Sequence, residues 1–288
     1  LLDEESQHRF KMRRDLDWLR RKLARALPLL DVSFTIETHA YPSSYERWVS
    51  QSDLGLILRF EDNIVPARTW ETAALLQAKR IFPARGGGYE LNSRFLSHDK
   101  LQQKRMLELN RFLDYPLARY LLYVPRPEWL DPEMAATLRH RRDVNLLGQR
   151  FDRPPGLELH RDLRRNGTSL DAGLIVAPAN HKFGRYDDTY ATLFKSTLPW
   201  SWFMASALVD LFWPVALGSN FSISVPDDLD TSTLVGLVSG DADIAQTVIA
   251  GTGWSDRDPV PFLPARSVTV VATVGAEFDL GSLARDDE

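Results

Sequence analysis

Gln77 and Lys79 stand two residues apart within Glu71-Thr72-Ala73-Ala74-Leu75-Leu76-Gln77-Ala78-Lys79-Arg80-Ile81-Phe82, a run that would otherwise read as an ordinary buried strand. Side chains two apart on a strand leave from the same side, so an amide and an ammonium are expected to share one face. About 24 residues upstream, Asp53 opens a second apolar run, Leu54-Gly55-Leu56-Ile57-Leu58-Arg59-Phe60. An aspartate at the head of one strand and a Gln-x-Lys on its neighbour can converge on one point. The chemistry such a point suits is metal-assisted hydrolysis of a phosphodiester. Bringing water against an anion needs a cation that neutralises phosphate oxygens and lowers the pKa of the water, and a lysine where negative charge develops. Asp53 would also balance the lysine's charge and offset part of the cost of burying it. Taken singly, each residue has a plainer use. Asp53 suits a strand or turn cap, and Gln77 and Lys79 suit the exposed face of an edge strand, where lysine discourages aggregation.

The elements that must position these residues follow in order. Residues 6–27 place Phe10, Leu16, Leu19, Leu23 and Leu27 mostly at three- and four-residue steps among many Arg and Lys, which predicts an amphipathic helix with a basic outer face. Val32 to His39 alternates apolar and polar residues and predicts a strand. The Asp53 strand comes next, followed by Glu61-Asp62-Asn63 as a solvated polar loop and then the Gln-x-Lys strand. Gly86-Gly87-Gly88 predicts a surface turn, since no Gly-Lys-Ser/Thr follows. Asp99 to Phe112 predicts a helix, and Tyr120-Leu121-Leu122-Tyr123-Val124 a buried strand stopped by Pro125. Beyond it, residues 126–166 read as a charged connector with some helix, Gly173 to Pro178 as a buried strand, and Trp202 to Leu211 as a helix. Ser222 to Val225, Thr233 to Val238 and Ser267 to Val274 carry strand signals mixed with turns.

At Asp53 and Gln77-Ala78-Lys79-Arg80 the sequence resembles the PD-(D/E)xK nuclease superfamily, in a Gln-x-Lys form similar to that of Mrr-type restriction enzymes. Tyr89 in the following turn, Gln102 or Gln103 on the next helix and the Tyr120 strand stand in the matching order, so the resemblance covers roughly residues 10–125. It implies an α/β fold, a restriction endonuclease-like mixed sheet flanked by helices. Residues 1–125 would form the nuclease core, and 126–288 a charged connector and an additional α+β region that completes or extends it. It also implies that Asp53 anchors Mg²⁺ or Mn²⁺ and that Lys79 orients the attacking water or steadies the transition state. Gln77 departs from the commoner acid, and an uncharged amide is a weaker ligand, so another carboxylate is required. Glu46 is the first candidate and Glu37 the second. Arg80, Gln102, Gln103 and Lys104 are the residues expected to contact nucleic acid. DNA is expected ahead of RNA, in prokaryotic restriction or antiviral defence, with a homodimer or a defence-system protein as partner. The competing expectations are a catalytically degenerate nucleic-acid-binding protein on the same fold, and a sensor or regulatory subunit.

Composition narrows the alternatives. The 288 residues contain no cysteine, which excludes disulfides and thiolate metal sites and points to a reducing, cytoplasmic setting. The six histidines show no paired ligand spacing, so a metal would be held by oxygen. No Gly-x-Ser-x-Gly supports a serine hydrolase, and no glycine fingerprint supports a dinucleotide fold. The chain opens Leu1-Leu2-Asp3-Glu4-Glu5-Ser6, without a basic start and apolar run of the secretory type. Leu198 to Gly218 is the most apolar stretch, but Pro199, Asp210 and Pro214 interrupt it, so no membrane span is expected. Net charge is −4, with 20 Lys and Arg against 16 Asp and Glu in residues 1–125 and 15 against 23 thereafter. The first part permits nucleic-acid contact without demanding it.

Overall fold

The computed structural model describes residues 31–40, 53–84, 87–95, 99–148, 161, 164–165, 167–171, 173–204, 230–253, 264 and 266–275. The expected basic helix at 6–27, the Ser222 to Val225 strand and Glu46 lie outside them, as does Trp202 to Leu211 beyond its helical start at 200–204.

The architecture is α/β with a mixed sheet. Its strands are β1 (Asp31–Ala40), β2 (Leu54–Asp62), β3 (Trp70–Arg80), β4 (Ala118–Tyr123), β5 (Leu174–Pro178), β6 (Leu198–Pro199) and β7 (Arg266–Gly275), in the order β1-β7-β2-β3-β4-β5-β6. The helices are α1 (Lys100–Phe112), α2 (Pro132–Leu147), α3 (Tyr186–Thr192), α4 (Thr231–Ser239) and α5 (Ala242–Thr252), with a single further turn at Gly167–Leu170. None of the described helices is long and apolar enough to cross a membrane.

The chain divides into two compact units. The smaller comprises Leu1–Thr38, Ile57–Glu71 and Val268–Glu288. Within it, Asn63 N donates to Val274 O, Phe60 stacks on Trp70 with centroids 6.0 Å apart, and Arg59 pairs with Glu71 at 2.6 Å. Glu61 and Asp62 are the last residues of β2 and not a solvated loop pair. Asp62 is buried, and its Oδ1 accepts from Ile64 N and Val65 N at 2.9 and 2.7 Å. A carboxylate that reaches back over its own turn is shielded by the backbone it caps.

The larger unit comprises His39–Leu56 and Thr72–Ser267. In it β3 runs parallel to β4, which requires a crossover, and α1 supplies it. Asp99 starts α1 by accepting from Leu101 N and Gln102 N. Asn110 then fixes the helix on its strand, donating to Ala118 O at 3.0 Å and accepting from Ala118 N at 2.7 Å. β5 pairs antiparallel with β4 on its other edge. With a neighbour on each side, β4 is buried from Ala118 to Leu122, as its apolar text implies. Arg119 is the exception on that strand. It is buried on the side opposite Tyr120, with its guanidinium 5.5 Å from the Phe203 ring.

Thr233 to Val238, where strand signals were expected, is helical in α4. A short β-branched apolar run fits a strand or a buried helix equally, and here the ends decide. Asp230 Oδ1 accepts from Ser232 N at 2.9 Å, and Gly240 ends the helix at φ +83°. Leu234, Leu237 and Val238 then fall on one buried side.

Gly55 lets β2 approach α4. A Cβ there would lie 2.7 Å from Val238 Cγ1, 2.8 Å from Val238 O and 2.9 Å from Pro264 Cγ. One of those neighbours is backbone and cannot swing aside. Gly55→Ala is therefore expected to destabilise the fold by roughly 1–3 kcal/mol, as urea denaturation of the full chain would measure.

Candidate functional site

β3 enters the core through Ala73, Ala74, Leu75 and Leu76 and remains buried at Gln77 and Lys79, each 7% exposed. With β2 on one side and β4 on the other, β3 is no edge strand, so solvent does not account for its two polar side chains. The parallel register sets Gln77 beside Tyr120 and Lys79 beside Leu122. By alternation Gln77 and Lys79 share one face of the sheet, as their spacing implies, while Ala78 and Arg80 take the other.

Asp53 is locked to this strand at the head of β2. Its N donates to Leu76 O at 3.1 Å, and its Oδ2 accepts from Ala78 N at 2.7 Å and from Gln77 Nε2. Asp53 and Gln77 therefore converge although 24 residues separate them. The bond occupies the nitrogen end of the amide. The oxygen end, Gln77 Oε1, is buried with no hydrogen-bond partner among the described residues. An unsatisfied buried acceptor costs about 1–3 kcal/mol, so this oxygen is placed at the fold's expense.

Lys79 stands on the same strand face, within electrostatic range of Asp53. Burial pulls its pKa below the usual lysine value, and the charges of Asp53 and then Asp99 oppose the drop. Asp99, the cap of α1, also adds to burial in pushing the Tyr120 hydroxyl up to about 12. Tyr120 is thus protonated at neutral pH, and its hydroxyl is buried without a partner among the described residues. The edge of its ring meets Phe183, centroids 4.7 Å apart. Phe183 in turn packs against Phe95 and His181.

The other expected site residues are distributed as follows. Gln102 is buried in the first turn of α1. Gln103 donates through Nε2 to Ala179 O and His181 O, both at 3.0 Å, which ties the segment after β5 to α1. Lys104 is exposed, 3.6 Å from Glu108. Arg80 is exposed, its guanidinium 5.9 Å from the Phe82 ring. Glu37 is exposed on β1, and Glu46 lies outside the described residues. Asp99 went unnoticed in the sequence as a site residue, because an aspartate before an apolar-periodic run signals a helix cap and nothing more.

Asp53 and Gln77 are joined through the amide nitrogen, and each also carries oxygen that could serve a cation. Among the described residues no group of three or more His, Cys, Asp or Glu gathers around one point. A carboxylate and an amide fit a hard ion such as Mg²⁺ or Mn²⁺, which keeps several of its waters. In comparisons with protein-family models, curated proteins and solved structures, nothing matches the chain.

Two expectations come from the burial here. Tyr120→Phe removes a hydroxyl with no hydrogen-bond partner among the described residues, so it is expected to leave stability unchanged or raise it by about 1 kcal/mol in urea denaturation. His181, 6% exposed, has its pKa pulled down to about 4 by burial. The unfolded chain takes up that proton first, so stability falls as pH drops from the ordinary value of 6.5 through 4 and the loss is complete below it. Replacing His181 with Gln should remove a loss on the order of 3 kcal/mol from the stability profile between pH 7 and 4.

Proposed function

We propose that the protein is a metal-dependent nuclease on a restriction endonuclease-like fold of the PD-(D/E)xK type, hydrolysing phosphodiester bonds of DNA in preference to RNA. The observation that carries this is the meeting of Asp53, Gln77 and Lys79 on one patch of adjacent strands, two of them buried in a strand interior. Polar side chains held there against the cost of burial are expected of a site that does chemistry. A mixed α/β sheet with the acid heading β2, Gln-x-Lys on β3 and a crossover helix between β3 and β4 is compatible with that fold.

In this proposal Asp53 and the Gln77 carbonyl oxygen would hold Mg²⁺ or Mn²⁺. The ion supplies positive charge to the phosphate oxygens and lowers the pKa of a bound water. Lys79 presents a poorly solvated cation, whose attraction for a developing negative charge is stronger than a surface lysine's. Asp53 keeps that cation from leaving the site, and its bond to Ala78 N fixes the carboxylate against β3. Tyr120 contributes a proton donor that does not ionise at neutral pH. The setting proposed is prokaryotic restriction or antiviral defence in the cytoplasm, acting as a homodimer or with a defence-system partner.

One observation favours a second reading, a nucleic-acid-binding protein that does not cleave. The Gln77 amide nitrogen donates directly to Asp53, so the two groups satisfy part of each other's needs.

Plasmid DNA incubated with the full chain separates the two. Cleavage that requires Mg²⁺ or Mn²⁺ and drops about 100-fold or more in Lys79→Ala is the expected outcome. Retardation of DNA in a gel without cleavage would transfer the function to binding.

A further inference from the structure

Gln77 leaves the patch one charge short. An Asp, an amide and a lysine sum to zero, whereas a divalent ion facing a phosphate is held best where carboxylates outnumber the cations of the protein. The larger unit holds a second carboxylate within electrostatic range of Lys79 and Tyr120. Asp99 caps α1, and both hydrogen bonds described for it, from Leu101 N at 2.8 Å and Gln102 N at 3.3 Å, fall on Oδ1. The carboxylate is thereby oriented by a helix that Asn110 clamps to β4.

We propose that Asp99 is the second acid of the site, so that a divalent cation is held by Asp53, Asp99 and the Gln77 carbonyl oxygen. Two further oxygens support this. Gln77 Oε1 and the Tyr120 hydroxyl are register partners on β3 and β4, on one sheet face, in residues 7% and 0% exposed, and each lacks a hydrogen-bond partner among the described residues. A hydrated cation satisfies both, the amide oxygen as a ligand and the hydroxyl through a bound water. Gln103, one turn along α1 from Asp99, is bonded to the carbonyls of Ala179 and His181, and Phe183 packs against both the His181 ring and Tyr120, which sets α1 on the Tyr120 side of the sheet. The field of Asp99 acts there on both Lys79 and Tyr120. The inference rests on the metal-dependent reading above and names the acid that Gln77 fails to supply.

The test is Mn²⁺ binding by the full chain, followed by the electron paramagnetic resonance of the free ion, for wild type, Asp99→Asn and Glu46→Gln. Asparagine caps a helix as well as aspartate does, so Asp99→Asn keeps α1 and removes only the charge. Unchanged thermal unfolding without metal would verify that. The expected result is Mn²⁺ affinity weakened about ten-fold or more in Asp99→Asn and unaltered in Glu46→Gln. Wild-type affinity in Asp99→Asn overturns the inference alone. No Mn²⁺ binding by the wild type overturns both the inference and the metal reading. Tight binding that is lost in Asp99→Asn, in a wild type that cleaves no nucleic acid, upholds the Asp99 site and removes the nuclease.

Discussion

The carboxylate of Asp53 joins the head of β2 to the middle of β3 by accepting from a backbone N–H and from the side chain of Gln77. Without that double contact the amide would keep only a long bond of 3.4 Å from its nitrogen to the carbonyl of Ala78. Its position follows from Asp53 N donating to Leu76 O, which aligns the start of β2 against this part of β3. A shift of β3 by one residue would turn Gln77 and Lys79 to the other face and bring Ala78 and Arg80 in their place. The patch therefore depends on strand register before it depends on any pair of charges.

Burial and charge act against each other at Lys79. Two carboxylates lie close enough to favour the ammonium, yet burial has the larger effect and the pKa falls. The reason is the surrounding fold. β3 is flanked by strands on both sides, and the aromatic group of Phe183, Phe95 and His181 packs around its neighbour Tyr120. Such packing keeps water out and strengthens each charge interaction that remains. Gln103 contributes through its amide, which pins the backbone that carries His181 and leads to Phe183.

Much of the local structure could be read along the chain. β1 to β5 and β7 coincide with apolar or alternating runs, and α1 starts at the aspartate that its pattern indicates. The misread elements share a cause. Thr233 to Val238 looked like strand because β-branched residues were weighed ahead of the Asp230 cap and the glycine at 240. Asp62 looked solvated because its neighbours in sequence are polar, whereas the groups that bury it are the backbone of its own turn.

The sequence by itself determined that β3 is a strand interrupted by an amide and a lysine on one side, and that an acid heads the strand before it. Those facts depend on spacing, which the backbone converts into direction. Tertiary structure alone decided that β3 is interior, that the nitrogen of Gln77 and not its oxygen meets Asp53, and that Tyr120 sits in register beside it. It alone brought Asp99 into electrostatic range of Lys79, because a helix cap acquires a second role only when the crossover places it over a particular strand. Long-range pairing and burial set these relations, and neither is written in the neighbouring residues.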